Sequence, residues 1–247
     1  MSILEKARSE FIHVCNDRSL DLSRTVAVHP LSPHDAIGDA EADFVIKKGK
    51  EYVIEAAFDK AQGQAFTGIA CQWNGTIEEL LSLELSDIRN RGIFVASMNA
   101  VLRSLGLATG TNHCRDEDPT NCGPEIAGQL EARFGTKRFG LVGLQPAILK
   151  ALVNHFTREF VRVVDLNPDN IGSLKSGIEV WDGQTDLPRL VEWSEAGLVT
   201  GSSIVNGTID EIISCFKDDN KPLVFFGNTI SGTAGLLDLD RLCPFGR

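Results

Sequence analysis

The sequence has no excess of basic residues: 24 Lys and Arg stand against 34 Asp and Glu, a formal charge of -10 over 247 residues. Without a basic stripe to displace counterions from phosphates, nucleic acid is excluded as a partner class. Long apolar runs are missing too. The opening stretch MSILEKARSEFIHVC interrupts its apolar residues with Glu5, Lys6, Arg8 and Glu10, unlike a signal peptide, and no run reaches membrane-spanning length. A cytoplasmic setting with no membrane partner is expected, where the six cysteines stay mostly reduced. They include no CxxC pair, so the usual spacing of a structural zinc site is absent. Nor does the first expected parallel strand lead into GxGxxG, so no NAD is expected.

What is present describes a globular chain. Hydrophobic residues make up 43% and charged residues 23%, and the length suits two small domains or one elaborated α/β domain. The first part, residues 1–118, reads as α+β. An amphipathic helix places Ile3, Leu4, Ala7, Phe11 and Cys15 on one stripe, and the short β-rich runs TVAVHPL, DFVIKKG, YVIEAAF and GQAFTGIA follow. Thr76 with Glu79 spells a capping box, and GIFVASMNAVLRSLG is an apolar helix closed by Gly106. From Pro119 to residue 247 strand and helix signals alternate. A helix over CGPEIAGQLEARFG is followed by RFGLVGL, QPAILKALVNHF, EFVRVVDL, AGLVTGSSI, TIDEIISCF and PLVFFGN, the pattern of a Rossmann-like parallel sheet covered on both faces.

Ligands of open α/β sheets bind beyond the carboxyl ends of the strands. The expected tips carry Gly143, Gln145 and Pro146; then Asp165 and Asn167; then TGSSIVNGT; then GNTISGTAG. Asp165 stands where ribose-binding acids occur, or else serves as a turn or capping residue. Thr208 and Glu211 spell a second capping box, directly after Asn206 and Gly207, where free helix amides could hold an anion.

Between the two parts lies TNHCRDEDPTNC, residues 111–122. His113, Cys114 and Cys122 offer imidazole and thiolate, the donor set of zinc, iron, copper or similar transition metals, and Cys243 in RLCPFGR is the candidate distant fourth ligand. The plainer alternative is ordinary thiols with a locally bonded imidazole. A Cys-His nucleophile is the third alternative, for which His113 with Cys122 is geometrically easier than the adjacent pair. Cys15, Cys71 and Cys215 sit among apolar residues and read as core thiols; His13, His29, His34 and His155 read as structural or surface groups.

KKGKEYVIEAAF, GQAFT, ASMNAVL, HCRDEDP, GLQPAIL, VVDLNPDNIG, TGSSIVNGT and FFGNTISGTAG, in this order, resemble the prokaryotic family described as putative heavy-metal chelation, over nearly the whole chain. The resemblance implies an α+β domain like the amino-terminal domain of enolase, then a Rossmann-like domain, with a site between them. It implies ligand-binding positions at Gly143, Pro146, Asp165, Gly201, Asn206, Thr208, Gly227 and Thr229. It also implies roles in metal chelation, or in condensing or hydrolysing flavin, pterin or siderophore precursors.

Two functions are therefore expected as rivals. One is binding of a small anionic molecule or heavy-metal chelate in the crevice between the domains. The other is a metal-independent transferase or hydrolase acting on a nucleotide-, pterin- or flavin-precursor-like substrate. Whether there is turnover stays open, and so does a homo-oligomer.

Overall fold

The computed structural model describes residues 1–38 and 51–247. The run DFVIKKG, expected to be a strand, lies outside the described residues. Helix α1 (Ile3–Asp17) opens the chain, with the Ser2 hydroxyl accepting from Glu5 N–H and Leu4, Ala7, Phe11 and Cys15 buried along one stripe. The first sheet is antiparallel. Its strands β1 (Thr25–Pro30), β2 (Tyr52–Phe58), β3 (Ala61–Thr67) and β4 (Trp73–Thr76) take the order β3-β2-β1-β4. A short helix α2 (Pro33–Ile37) follows β1, and α3 (Ile77–Leu81) follows β4. At Thr76 the backbone is extended (ψ 164°), so its hydroxyl reaches Glu79 N–H while the Glu79 carboxylate returns to Thr76 N–H, and the capping box forms as expected.

Helix α4 (Ile88–Ser104) lies against this sheet and is buried from Gly92 to Leu102. Gly63 permits the contact. A Cβ there would stand 2.3 Å from the backbone nitrogen of Ala100 and 2.5 Å from the carbonyl of Ala96.

The second sheet contains β5 (Phe139–Val142), β6 (Val161–Asp165), β7 (Leu174–Lys175), β8 (Ile178–Asp182), β9 (Ala196–Thr200), β10 (Leu223–Phe226) and β11 (Arg241–Leu242), in the order β11-β10-β9-β5-β6-β8-β7. All its pairings are parallel except the β7–β8 hairpin at one edge. Setting the hairpin strand β7 aside, the chain runs outward from β5 through β6 to β8, then returns to the other side of β5 and runs outward through β9, β10 and β11. That is the doubly wound order of Rossmann-like sheets, with its switch point between β5 and β9.

Alternate residues of each strand feed two cores, as the pleat requires. Leu141, Val163, Leu198 and Val224 join the cluster under α5 (Asp118–Phe134) and α6 (Pro146–Phe156). Val142, Val164, Val199 and Phe225 join the cluster under α7 (Leu187–Trp193) and α9 (Ile209–Asp218). The sheet is thus covered on both faces, as expected. This second cluster also contains Phe11, Ile54, Phe94 and Met98, so one hydrophobic core runs from the antiparallel sheet through α4 to the parallel sheet.

Helix α5 differs from the reading of 122–135. It begins at Asp118, so Cys122 sits a full turn inside and Pro124 is an interior proline. The advantage of a thiol at the very first amides of a helix therefore does not apply to Cys122, since the effect fades beyond the first turn. Cys15 and Cys71 are buried as expected, whereas Cys215 is half-buried on α9.

Candidate functional site

A cavity of about 370 Å³ opens at the switch point, between the carboxyl ends of β5, β6, β9 and β10 and the edge of β3. This is where a doubly wound sheet leaves room for a ligand, and the size suits a small organic molecule. Gly143 and Thr200 show why the room exists. Gly143 leaves β5 with φ +89°, and a Cβ there would stand 2.5 Å from the Thr200 methyl at the end of β9.

Of the positions expected to bind a ligand, Gly143, Asp165, Gly201, Asn206, Thr208, Gly227 and Thr229 border this cavity. Pro146 does not. It starts α6, whose first turn is capped by Gln145 Oε1 accepting from Ile148 N–H at 2.7 Å.

Asp165 is occupied by the protein. One carboxylate oxygen accepts from Leu144 N–H at 2.7 Å and the other from Asn167 N–H and Asn170 Nδ2, both at 2.9 Å. It ties the β5 turn to the β6 turn, which favours the turn-residue reading over a free ribose-binding acid. Thr229 is occupied as well. Its hydroxyl accepts from Phe66 N–H at 3.0 Å and joins β3 to the loop after β10.

The elbow between α8 (Ser203–Asn206) and α9 differs from expectation. Thr208 has a helical backbone (φ -99°, ψ -7°) and makes no side-chain cap, so the second capping box does not form. An N-cap hydroxyl reaches forward only from an extended backbone. Asn206, Thr208 and Glu211 instead border the cavity. Arg91 of α4 holds the elbow in place through Val205 O at 2.6 Å and Asn206 O at 3.4 Å.

The strap 109–117 crosses the cavity because β3 grips it. Gln64 N–H donates to Thr111 O at 3.0 Å, Thr111 donates to Gln62 O, and His113 N–H donates to Gln64 Oε1 at 2.8 Å. Buried Asn99 on α4 completes the joint: its Nδ2 donates to the carbonyls of Gln64 and Thr229, and its Oδ1 accepts from Gly232 N–H at 2.7 Å.

His113, Cys114, Cys122 and Cys243 all line the cavity, so the strap and the chain's last residues build one wall. Cys114 donates its thiol proton to Cys122, which also accepts from Phe245 N–H. That bond raises Cys114, with burial adding to the rise, and lowers Cys122 below an ordinary thiol. Burial raises Cys243, and Arg241 opposes the rise.

His113 Nδ1 contacts Cys114 O, an acceptor only, so Nδ1 carries the proton and Nε2 keeps its lone pair. Burial pulls the imidazole down to about 4, leaving it neutral. Four donors of the right kind for a soft or borderline metal thus share one cavity. Among the described residues, however, no three His, Cys, Asp or Glu side chains are grouped so as to hold a metal ion as they stand. As they stand, Cys114 and Cys122 are hydrogen-bonded to each other as free thiols, and Cys243 lies beside Arg241.

Sequence reasoning missed Glu51. It lines the cavity, and desolvation followed by repulsion from Asp165 raises its carboxyl to about 7, although the residue as a whole is exposed. We take it to stand at the rim with its carboxyl turned inward. No pattern in the sequence marks it, since only the fold brings β2 beside the tip of β6.

Residues 129–237 match the family DUF364, described as "Putative heavy-metal chelation", as the resemblance implied. A DUF364 protein of unknown function from Pyrococcus horikoshii shares the fold at 14% identity and a TM-score of 0.55, over 92% of this chain and 80% of that one. Another, from Desulfitobacterium hafniense, is 12% identical with a TM-score of 0.47 over 76% and 72%. No curated protein matches. The matched segment contains the strand tips from Gly143 to Thr229 and excludes His113, Cys114, Cys122 and Cys243.

Proposed function

We propose that the protein binds a soft or borderline metal ion, brought in by a small chelating molecule, in the switch-point crevice. One observation carries this reading: thiols from two segments more than a hundred residues apart line a single wall of the cavity. Cys114, Cys122 and Cys243 are the proposed sulfur ligands, and Nε2 of His113 is the proposed nitrogen ligand. A bound ion would supply Lewis acidity and fix the chelator's orientation. The protein's own part is to present thiolates, which requires loss of the proton shared by Cys114 and Cys122.

The family's description supports the metal half of the proposal in general terms only, because its matched residues leave the thiol wall outside. The anionic half of the earlier expectation has less support. Among the described residues the cavity is bordered by Glu51, Asp165 and Glu211 and by no Lys or Arg.

Metal analysis of protein prepared under reducing conditions, with competitive titration of Zn²⁺ and Cd²⁺, tests the proposal. Stoichiometric uptake that is lost in Cys114→Ser and Cys122→Ser is the expected result. Uptake that is absent, or unchanged by both substitutions, overturns it.

A further inference from the structure

The rim and floor of the crevice share an electrostatic character that the thiol wall does not explain. Glu51 and Glu211 are exposed lining residues, one at the head of β2 and the other on α9, and among the described residues no hydrogen bond or ion pair engages either carboxylate. Glu211 is free because its capping box does not form. At the floor, Asn228 is 1% exposed. Its Nδ2 donates to the carbonyls of Gln64 at 3.3 Å and Thr111 at 3.2 Å, which fixes the amide's orientation and leaves Oδ1 as a buried acceptor with no partner. A buried acceptor left unpaired is costly, and one bordering a cavity marks where a ligand's N–H would be welcome.

Between rim and floor, apolar side chains such as Val142, Leu144, Ile148 and Val164 alternate with neutral polar ones such as Ser202, Asn206 and Thr208. With Glu51 and Glu211 at the rim, an unpaired acceptor at the floor and no Lys or Arg among the described lining, the charged groups of the crevice favour a ligand that brings positive charge and N–H donors.

We infer that the crevice selects a small organic cation, an apolar body bearing an amine or amidine, with Glu51 and Glu211 receiving its charge and Asn228 Oδ1 receiving an N–H. This rests on reading the crevice as a small-molecule site and deepens that reading: a chelator that enters it is nitrogen-rich, not a polycarboxylate. The raised carboxyl of Glu51 agrees, since burial and Asp165 disfavour its bare charge and a cation beside it relieves both.

The test uses three molecules of nearly one shape: benzamidine (cationic), benzamide (neutral) and benzoate (anionic). Calorimetric titration and thermal shift of the full chain should rank benzamidine first and benzoate last. Glu51→Gln and Glu211→Gln should each weaken benzamidine by about two- to fivefold, as expected for rim charges, and leave benzamide unchanged. Cys114→Ser and Cys122→Ser should leave benzamidine binding intact while removing metal uptake, so the two proposals fail separately. Benzoate binding as well as benzamidine, benzamidine binding indifferent to both Glu substitutions, or no binding by any of the three would each overturn the inference.

Discussion

Replacing Asn99 with Ala removes the side chain that joins α4 to the loop after β10. Its Nδ2 donates to Thr229 O at 2.9 Å and to Gln64 O at 3.1 Å, and its Oδ1 accepts from Gly232 N–H at 2.7 Å, all fully buried. Gln64 O keeps a second donor in Asn228 Nδ2, so the groups orphaned are Thr229 O and Gly232 N–H. Two buried polar groups left unpaired, at about 1–3 kcal/mol each, give a loss centred near 4 kcal/mol. In urea, with a slope of about 3 kcal/mol/M, the midpoint should fall by roughly 1.3 M. Asn99→Asp keeps an acceptor for Gly232 but turns an oxygen toward carbonyls, so it should be worse than Ala. Equilibrium urea unfolding followed by tryptophan fluorescence measures both. A loss under about 1 kcal/mol for Ala, or Asp milder than Ala, would refute the account of this joint.

Thr76→Ala should cost about 1 kcal/mol by breaking a formed capping box, while Thr208→Ala, which has no cap to lose, should stay within about 0.5 kcal/mol; paired denaturation curves compare them. Asp165→Ala should cost about 2–4 kcal/mol in the same assay, because Leu144 and Asn167 N–H lose their acceptor; an unchanged midpoint would mean that the turns do not depend on it. Glu51 titrates near 4.5 when unfolded and about 7 when folded, so the folded chain binds the extra proton between those values and stability falls as pH rises through the window. Glu51→Gln should therefore raise the thermal midpoint relative to wild type more at pH 8 than at pH 4.5, and a gain independent of pH would contradict the shift.

Periodicity made the doubly wound sheet legible, because strands buried on both faces read as continuous apolar runs such as FGLV and LVFF. The short pieces were not legible: α2, β4, α8 and the β7–β8 hairpin hold two to five residues each, too few to show a period. Within the site, the gathering of Cys114, Cys122 and Cys243 followed from the strap's composition and its place between the two sheets. The two capping sequences show the limit of motif reading. Identical NGTI stretches at 74 and 206 give a closed box at Thr76 and none at Thr208, because the backbone before α9 is already helical. Glu51 was invisible because its neighbour Asp165 lies more than a hundred residues away.

The unbroken core from Phe11 through Met98 to Phe225 limits how the chain can be dissected. Cutting the gene just before Asp118 severs a covalent seam that is not a mechanical one. The carboxyl-terminal fragment would bare α8 and α10 (Ser231–Leu237) where α4 and α1 had lain, and it would inherit Cys122 and Cys243 without Cys114. Any shuffling of such halves between relatives must therefore carry matched surfaces on both sides, or the product will aggregate before it can bind anything.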